Sequence, residues 1–164
     1  MEDTNPGIRH LIDAALEAGN QKALFRVAFL HSFCVGGTFT YGYEVLKKVA
    51  EEEGDHSAIY VWCLVMTAHS SCIGHPSYGD PTDLWRSIFS DEARVDRMRN
   101  RLQRWFPLLA PRLTDGNLFH VNVFPECASH PLPNKDPQRC TRCRLDLELH
   151  WFVANFGREY IVVG

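Results

Sequence analysis

Three cysteines and two histidines crowd into residues 127–150, CASHPLPNKDPQRCTRCRLDLELH, whereas elsewhere in the chain they are scattered. Cys127 and His130 form a C-x2-H pair and Cys140 and Cys143 a C-x2-C pair, separated by nine residues that include three prolines. Thiolates and imidazoles are the donors Zn2+ prefers, and an x2 step lets one tight turn aim two donors at a single point. The spacing therefore predicts one tetrahedral Zn2+ held by Cys127, His130, Cys140 and Cys143. Four protein ligands leave no coordination position for a substrate, so the expected role is structural. The C-x2-C pair is the firmer half. His120 and His150 are the alternatives to His130 as fourth ligand, and buried thiols or a disulfide are the plainer explanation of the cysteines.

Two other groupings have chemical potential. His69, Cys72 and His75 stand at x2 steps and offer three donors with an open place, the pattern of a metal-dependent hydrolase. No acid accompanies them, and a helix end running into Gly74-His75-Pro76 is an ordinary place for polar residues. Arg94, Arg97, Arg101 and Arg104 follow one another at three- and four-residue steps and so share one side of a helix, where they could meet RNA or an acidic partner. A solvated helix face explains them as well, because no other basic or aromatic surface extends the patch. Cys34 and Cys63 read as small hydrophobes at helix contacts. The sequence has no nucleophile elbow, Walker loop, H-E-x-x-H or dinucleotide glycine pattern, and no catalytic residue is assigned.

These groups need a scaffold, and the composition supplies one. The chain has 164 residues, 45% of them hydrophobic, enough to bury about 70% of the unfolded surface without help from disulfides. No apolar run reaches membrane-spanning length, and MEDTNPGIRH is not a secretory signal, so an intracellular site, cytoplasmic or nuclear, is expected. In a reducing compartment clustered cysteines serve as metal ligands more often than as bridges. Seventeen basic residues face twenty acidic ones, for a net charge of −3. Residues 91–112 are the exception, with six arginines against three acids. A net acidic chain has no general attraction for phosphate backbones, so nucleic acid is not the expected partner.

Residues 11–29 map onto residues 46–64 with a constant shift of 35: Leu11 onto Leu46, Ala15 onto Ala50, Gly19 onto Gly54, Ala23 onto Ala58, Phe25 onto Tyr60 and Ala28 onto Cys63. Small residues at fixed places with that period mark paired-helix repeats, in which the small residues let helices approach and the aromatic fills the gap. Each copy reads as helix, glycine turn, helix. The fourth helix, Ser57 to His69, is apolar on nearly every side and so is expected at the centre, covered by neighbours. After a loop over residues 70–82, a short helix capped by Thr82 or Asp83 and a longer one from Ser90-Asp91-Glu92 to Leu109 break the period and read as a cap on the stack. The expected fold is mainly α: antiparallel helical pairs of tetratricopeptide-like repeats in residues 1–112, then a zinc-binding module in residues 113–164. That module is expected to hold strands near residues 119–124 and 159–163. Between them an amphipathic helix from Arg144 to Asn155 would pack Leu145, Leu149, Phe152 and Val153 against the repeats.

The stretches GNQKALFRVAF, LKKVAEEEGDHSAIYVW and CTRCRLDLELHWF together resemble the C-terminal region of a group of plant F-box proteins, over nearly the whole chain. The last stretch is the most distinctive, since it fixes Cys140, Cys143, Arg144, Asp146 and Glu148 together. The resemblance implies a non-enzymatic protein-protein interaction module of the kind that recruits substrates to a ubiquitin ligase. Two departures stand out. His130 occupies a place where the group is expected to carry a cysteine, and no F-box-like segment precedes residue 7, so this chain is not expected to dock on a ligase by itself. The identity of the bound protein and the oligomeric state are not written in the sequence.

Overall fold

The computed structural model describes residues 10, 13–15, 17–33, 39–69, 78–89, 91–109, 127–131 and 133–156. These residues are mainly helical and contain no strand. Residues 13–15 and 17 are helical, and after them come, in chain order, α1 (Gln21–Phe33), α2 (Phe39–Glu51), α3 (His56–His69), α4 (Thr82–Ile88), α5 (Glu92–Leu109) and α6 (Thr141–Phe156). None of them is long and apolar enough to cross a membrane. The expected boundary between residues 112 and 113 and the expected strands lie outside the described residues, as do Cys34, Cys72, His75 and His120.

The shift of 35 reappears as geometry. Gly19 and Gly54 both adopt positive φ, 64° and 67°, the left-handed conformation that ends a helix and that glycine reaches without steric penalty. The next residue in each copy then opens a new helix. Asn20 Oδ1 accepts the backbone N–H groups of Lys22 and Ala23, each at 3.2 Å, and Asp55 Oδ1 accepts that of Ala58 at 2.9 Å. Each dipeptide thus stops one helix and caps the next, satisfying donors that a helix N-terminus leaves unpaired. The short connection at Gly54-Asp55 folds α2 and α3 back on each other as an antiparallel pair.

Packing follows the apolar pattern. In α3 every residue from Ser57 to His69 is buried, as a helix apolar on all sides requires. Phe25 and Ala28 of α1, Leu46 and Ala50 of α2, and Ala58, Tyr60 and Cys63 of α3 join one core cluster, so both members of the pairs Phe25/Tyr60 and Ala28/Cys63 are interior. Cys63 fits the role of a small hydrophobe: burial pushes its thiol far above the usual range, and no thiolate forms there.

Beyond the repeats, α4 is capped by neither Thr82 nor Asp83. Its N-cap position is Pro81, which has no side-chain oxygen, and Asp80 takes over by accepting the Thr82 N–H at 2.9 Å and its hydroxyl at 2.6 Å. Asp91 caps α5, accepting the Ala93 N–H at 2.9 Å, and Val95, Met98 and Leu102 are buried from the same helix. Leu145, Leu149 and Phe152 of α6 enter the same core cluster as the repeats, with the Phe152 ring edge-on to Phe29 at 6.4 Å between centroids. The last helix is therefore seated on α3 and α4.

Candidate metal centre

Cys127, His130, Cys140 and Cys143 converge. One ligand atom from each lies within 4.8 Å of all the others, close enough to surround a single ion. Cys127 Sγ is 3.6 Å from His130 Nδ1 and 3.7 Å from Cys140 Sγ. Cys127 and Cys143 are buried, while His130 and Cys140 are half-buried. His150, the other histidine of the stretch within the described residues, sits on α6 and is not part of the group.

Local backbone bonds explain the convergence. The His130 N–H donates to Cys127 O at 3.1 Å, closing the tight turn that an x2 step demands. The Cys140 N–H donates to Asp136 O at 2.8 Å, and Cys140 O accepts the Arg144 N–H at 3.0 Å, so Cys140 stands at the mouth of α6 and Cys143 inside its first turn. The thiols are not equivalent. Burial opposes ionisation of Cys140, but hydrogen bonds from the Cys143 N–H and from the neighbouring thiols outweigh it and hold Cys140 below the usual thiol range. Cys143 is pushed up to about 11, chiefly by burial.

The motif letters that follow Cys143 acquire roles only in three dimensions. Asp146 and Glu148 are both fully buried, and at about 100° per residue they leave α6 on nearly opposite faces. Asp146 faces the cysteines: its Oδ2 accepts the Cys127 N–H and the Lys135 ammonium, each at 2.9 Å, and its Oδ1 accepts Arg142 Nε at 3.2 Å. One carboxylate thus pins the start of the ligand loop, its middle and the first turn of α6. Glu148 faces the helical scaffold. It accepts the Tyr60 hydroxyl at 2.9 Å, Arg144 Nε at 3.3 Å and two guanidinium bonds from Arg99, one through Nε at 3.1 Å and a shorter one through Nη2. Arg144 reaches further to clasp Glu92 with both nitrogens, at 2.5 and 2.7 Å. Burial and the adjoining carboxylate raise the Tyr60 phenol well above its ordinary value, so it donates at all ordinary pH. Nothing in the spacing of the ligands announces these buttresses. The available sign was a pair of acids alternating with three leucines on one helix, RLDLEL, which a solvated helix has no reason to carry.

The other two groupings look different in place. His69 is buried, with Nε2 3.1 Å from the Tyr43 hydroxyl and its ring edge-on to Tyr43 and Tyr78. The Arg94–Arg104 face is partly engaged within the chain. Arg101 donates to Ser57 Oγ at 2.8 Å and Arg94 reaches Ile88 O at 3.4 Å, whereas Arg97 has only an exposed 3.7 Å contact with Asp91. Arg99, which falls off the shared face, turns inward to Glu148 and places its guanidinium 5.0 Å from the Trp151 ring centre.

No curated protein and no solved structure matches this chain. The family model described as plant tetratrico peptide repeats matches residues 3–106, well over half the chain, and covers both 35-residue copies together with most of α5. The metal-ligand group and α6 lie beyond the matched span. With repeat geometry and family match in agreement, the chain belongs to the plant tetratrico peptide repeat family.

Proposed function

We propose that the chain is a non-enzymatic protein-binding module whose repeat scaffold is completed by a structural Zn2+ at Cys127, His130, Cys140 and Cys143. The observation that carries this reading is the closed donor set. With Zn–S near 2.3 Å and Zn–N near 2.0–2.1 Å, a tetrahedral site has S–S edges of about 3.8 Å and S–N edges of about 3.6 Å. The distances of 3.7 Å and 3.6 Å at Cys127 fit those edges. Zinc bound there would keep the thiols deprotonated and cross-link the ligand loop to α6, with no position left for substrate. Helical repeats of this kind present extended surfaces suited to proteins, and the family match supports that general role. The finer role, holding a target for a ubiquitin ligase, rests on the likeness of residues 140–152 to plant F-box proteins. Residues 1–112 would then form the recognition scaffold and residues 113–164 the clasp.

Metal analysis of the purified chain tests the site. One Zn2+ per molecule is expected, abolished by Cys140→Ser and retained by His150→Ala. Retention of metal by Cys140→Ser, or a metal-free wild-type protein with undiminished stability, overturns the zinc assignment. Partner capture tests the module: a chain that recovers no protein but turns over a small substrate is an enzyme instead.

A further inference from the structure

A groove of about 600 Å3 opens where the clasp meets the helical scaffold, beside Cys140. Trp85 of α4 and Phe89 at its C-cap form the apolar floor, their rings stacked within 15° of parallel. Leu147 of α6 lines it too and is 42% exposed, the only large hydrophobic residue so exposed among the described residues. Its neighbours along α6, Leu145 and Leu149, are 0% and 1% exposed, so Leu147 is the leucine of this run that the scaffold does not cover.

The charge of the groove opposes that of the chain. Arg86, Arg139 and Arg144 line it against one acid, Glu92, in a protein whose net charge is −3. Arg144 is committed to Glu92 through two bonds, which cancels that pair. Arg86 from α4 and Arg139 from the ligand loop remain. Arg86 has only a 3.7 Å contact with Asp83, both side chains being mostly exposed, and such a pair is worth little in water. The Arg139 backbone N–H donates to Asp136 Oδ1 at 3.3 Å, and its guanidinium has no partner among the described residues.

We propose that this groove binds an acidic peptide segment of a partner protein, with an apolar side chain seated on Leu147 and Phe89 and flanking carboxylates on Arg86 and Arg139. The proposal deepens the protein-binding reading above and rests on it. Charge complementarity selects the occupant: apolar contact anchors, while the two guanidiniums set the sign of the flanking charge and can grip a carboxylate with two bonds. RNA fits less well, because Trp85 is 3% exposed and packed against Phe89, which leaves Phe89 as the single ring of the groove lining on which a base could stack, with no second aromatic to extend the platform. One wall, Pro137 to Thr141, belongs to the ligand loop, so peptide binding depends on the clasp being closed.

The test is selection of a randomised peptide display library on the intact, zinc-loaded chain, followed by titration of the enriched peptides. Enrichment of Asp/Glu-flanked apolar motifs is expected, with affinity falling about tenfold in Arg86→Glu and in Arg139→Glu. Lys22→Glu, on α1 outside the groove, should leave it unchanged. Retained zinc and helix content in each variant separates lost contacts from lost folding. Enriched peptides that ignore both reversals, a basic consensus, or no acidic enrichment overturns the groove assignment. So does single-stranded RNA of mixed sequence competing at the same residues, or self-association that vanishes with Leu147→Ser. None of these outcomes removes the protein-binding reading, which partner capture decides separately.

Discussion

The repeat helices and the clasp are held together by opposite means. In α1 to α3 the interior is almost wholly apolar, and the turns that open α1 and α3 both use a positive-φ glycine followed by a side-chain cap. Around residues 127–148 the contacts are chiefly sulfur, nitrogen and charge: three cysteines, a histidine and two fully buried carboxylates with their cationic and hydroxyl partners. A repeat scaffold can be extended or shortened by copying its apolar pattern, because each unit needs only complementary neighbours. The clasp has few buried apolar groups of its own and must be ordered by specific, mutually dependent polar contacts. Buried ion pairs confer little net stability but strongly penalise loss of one partner, which makes such a region all-or-none.

That contrast can be broken from either side. If the site holds Zn2+ as proposed, the largest effect comes from metal removal. A strong chelator or Cys140→Ser should abolish amide protection across residues 127–143, while α1 to α3 keep theirs, as hydrogen exchange followed by mass spectrometry would report. Simultaneous loss in both regions would make them one cooperative unit. Glu148→Ala comes next, since it strands Arg99 and Arg144 and leaves the Tyr60 hydroxyl without its acceptor. Because both arginines keep some solvent contact, we expect a loss of about 3 kcal/mol in urea unfolding, at the lower end for a broken buried pair. Gly19→Ala and Gly54→Ala probe the repeat itself. Each should cost about 1 kcal/mol through the left-handed backbone alone, because a Cβ at either glycine meets nothing within 4 Å. Unequal losses would show that the two copies are not energetically equivalent.

The smallest effect is a pH dependence at Glu92. Its bond to Arg144 holds the carboxyl below its ordinary value. A carboxylate with a depressed folded-state pKa stabilises above its unfolded pKa of about 4.3 and stops doing so as pH falls through the folded value. Wild type should therefore exceed Glu92→Gln slightly at neutral pH, by well under ~1 kcal/mol given the exposed side chain, and the difference should vanish in acid. A difference that persists unchanged below that window would mean the glutamine disturbs packing rather than charge.

Much of this organisation was legible beforehand because it is local. Helix spacing and the glycine turns depend on residues within a few positions of each other, as does the x2 step that brings Cys127 to His130 and Cys140 to Cys143, and the 35-residue shift is a repetition of such local patterns. The cap of α4 was misplaced for an equally local reason: Thr82 and Asp83 have suitable side chains, but Pro81 moves the capping role back to Asp80. The arginines of α5 mark where the sequence stops informing. Helical periodicity separates Arg99 from the other four, yet only the fold gives it a carboxylate, 49 residues away on α6.

By itself, then, the sequence determined the helical repeats and pointed to the cysteine and histidine pairs as candidate ligands, since these follow from recurring spacings and from donor chemistry, while the choice among His130, His120 and His150 stayed open. Tertiary structure alone decided that Asp146 braces the ligand loop and Glu148 locks it to α3 and α5, and that Leu147 is left open beside two available arginines. Those outcomes depend on which face of α6 meets which neighbour, and that is set by packing between elements distant in the chain.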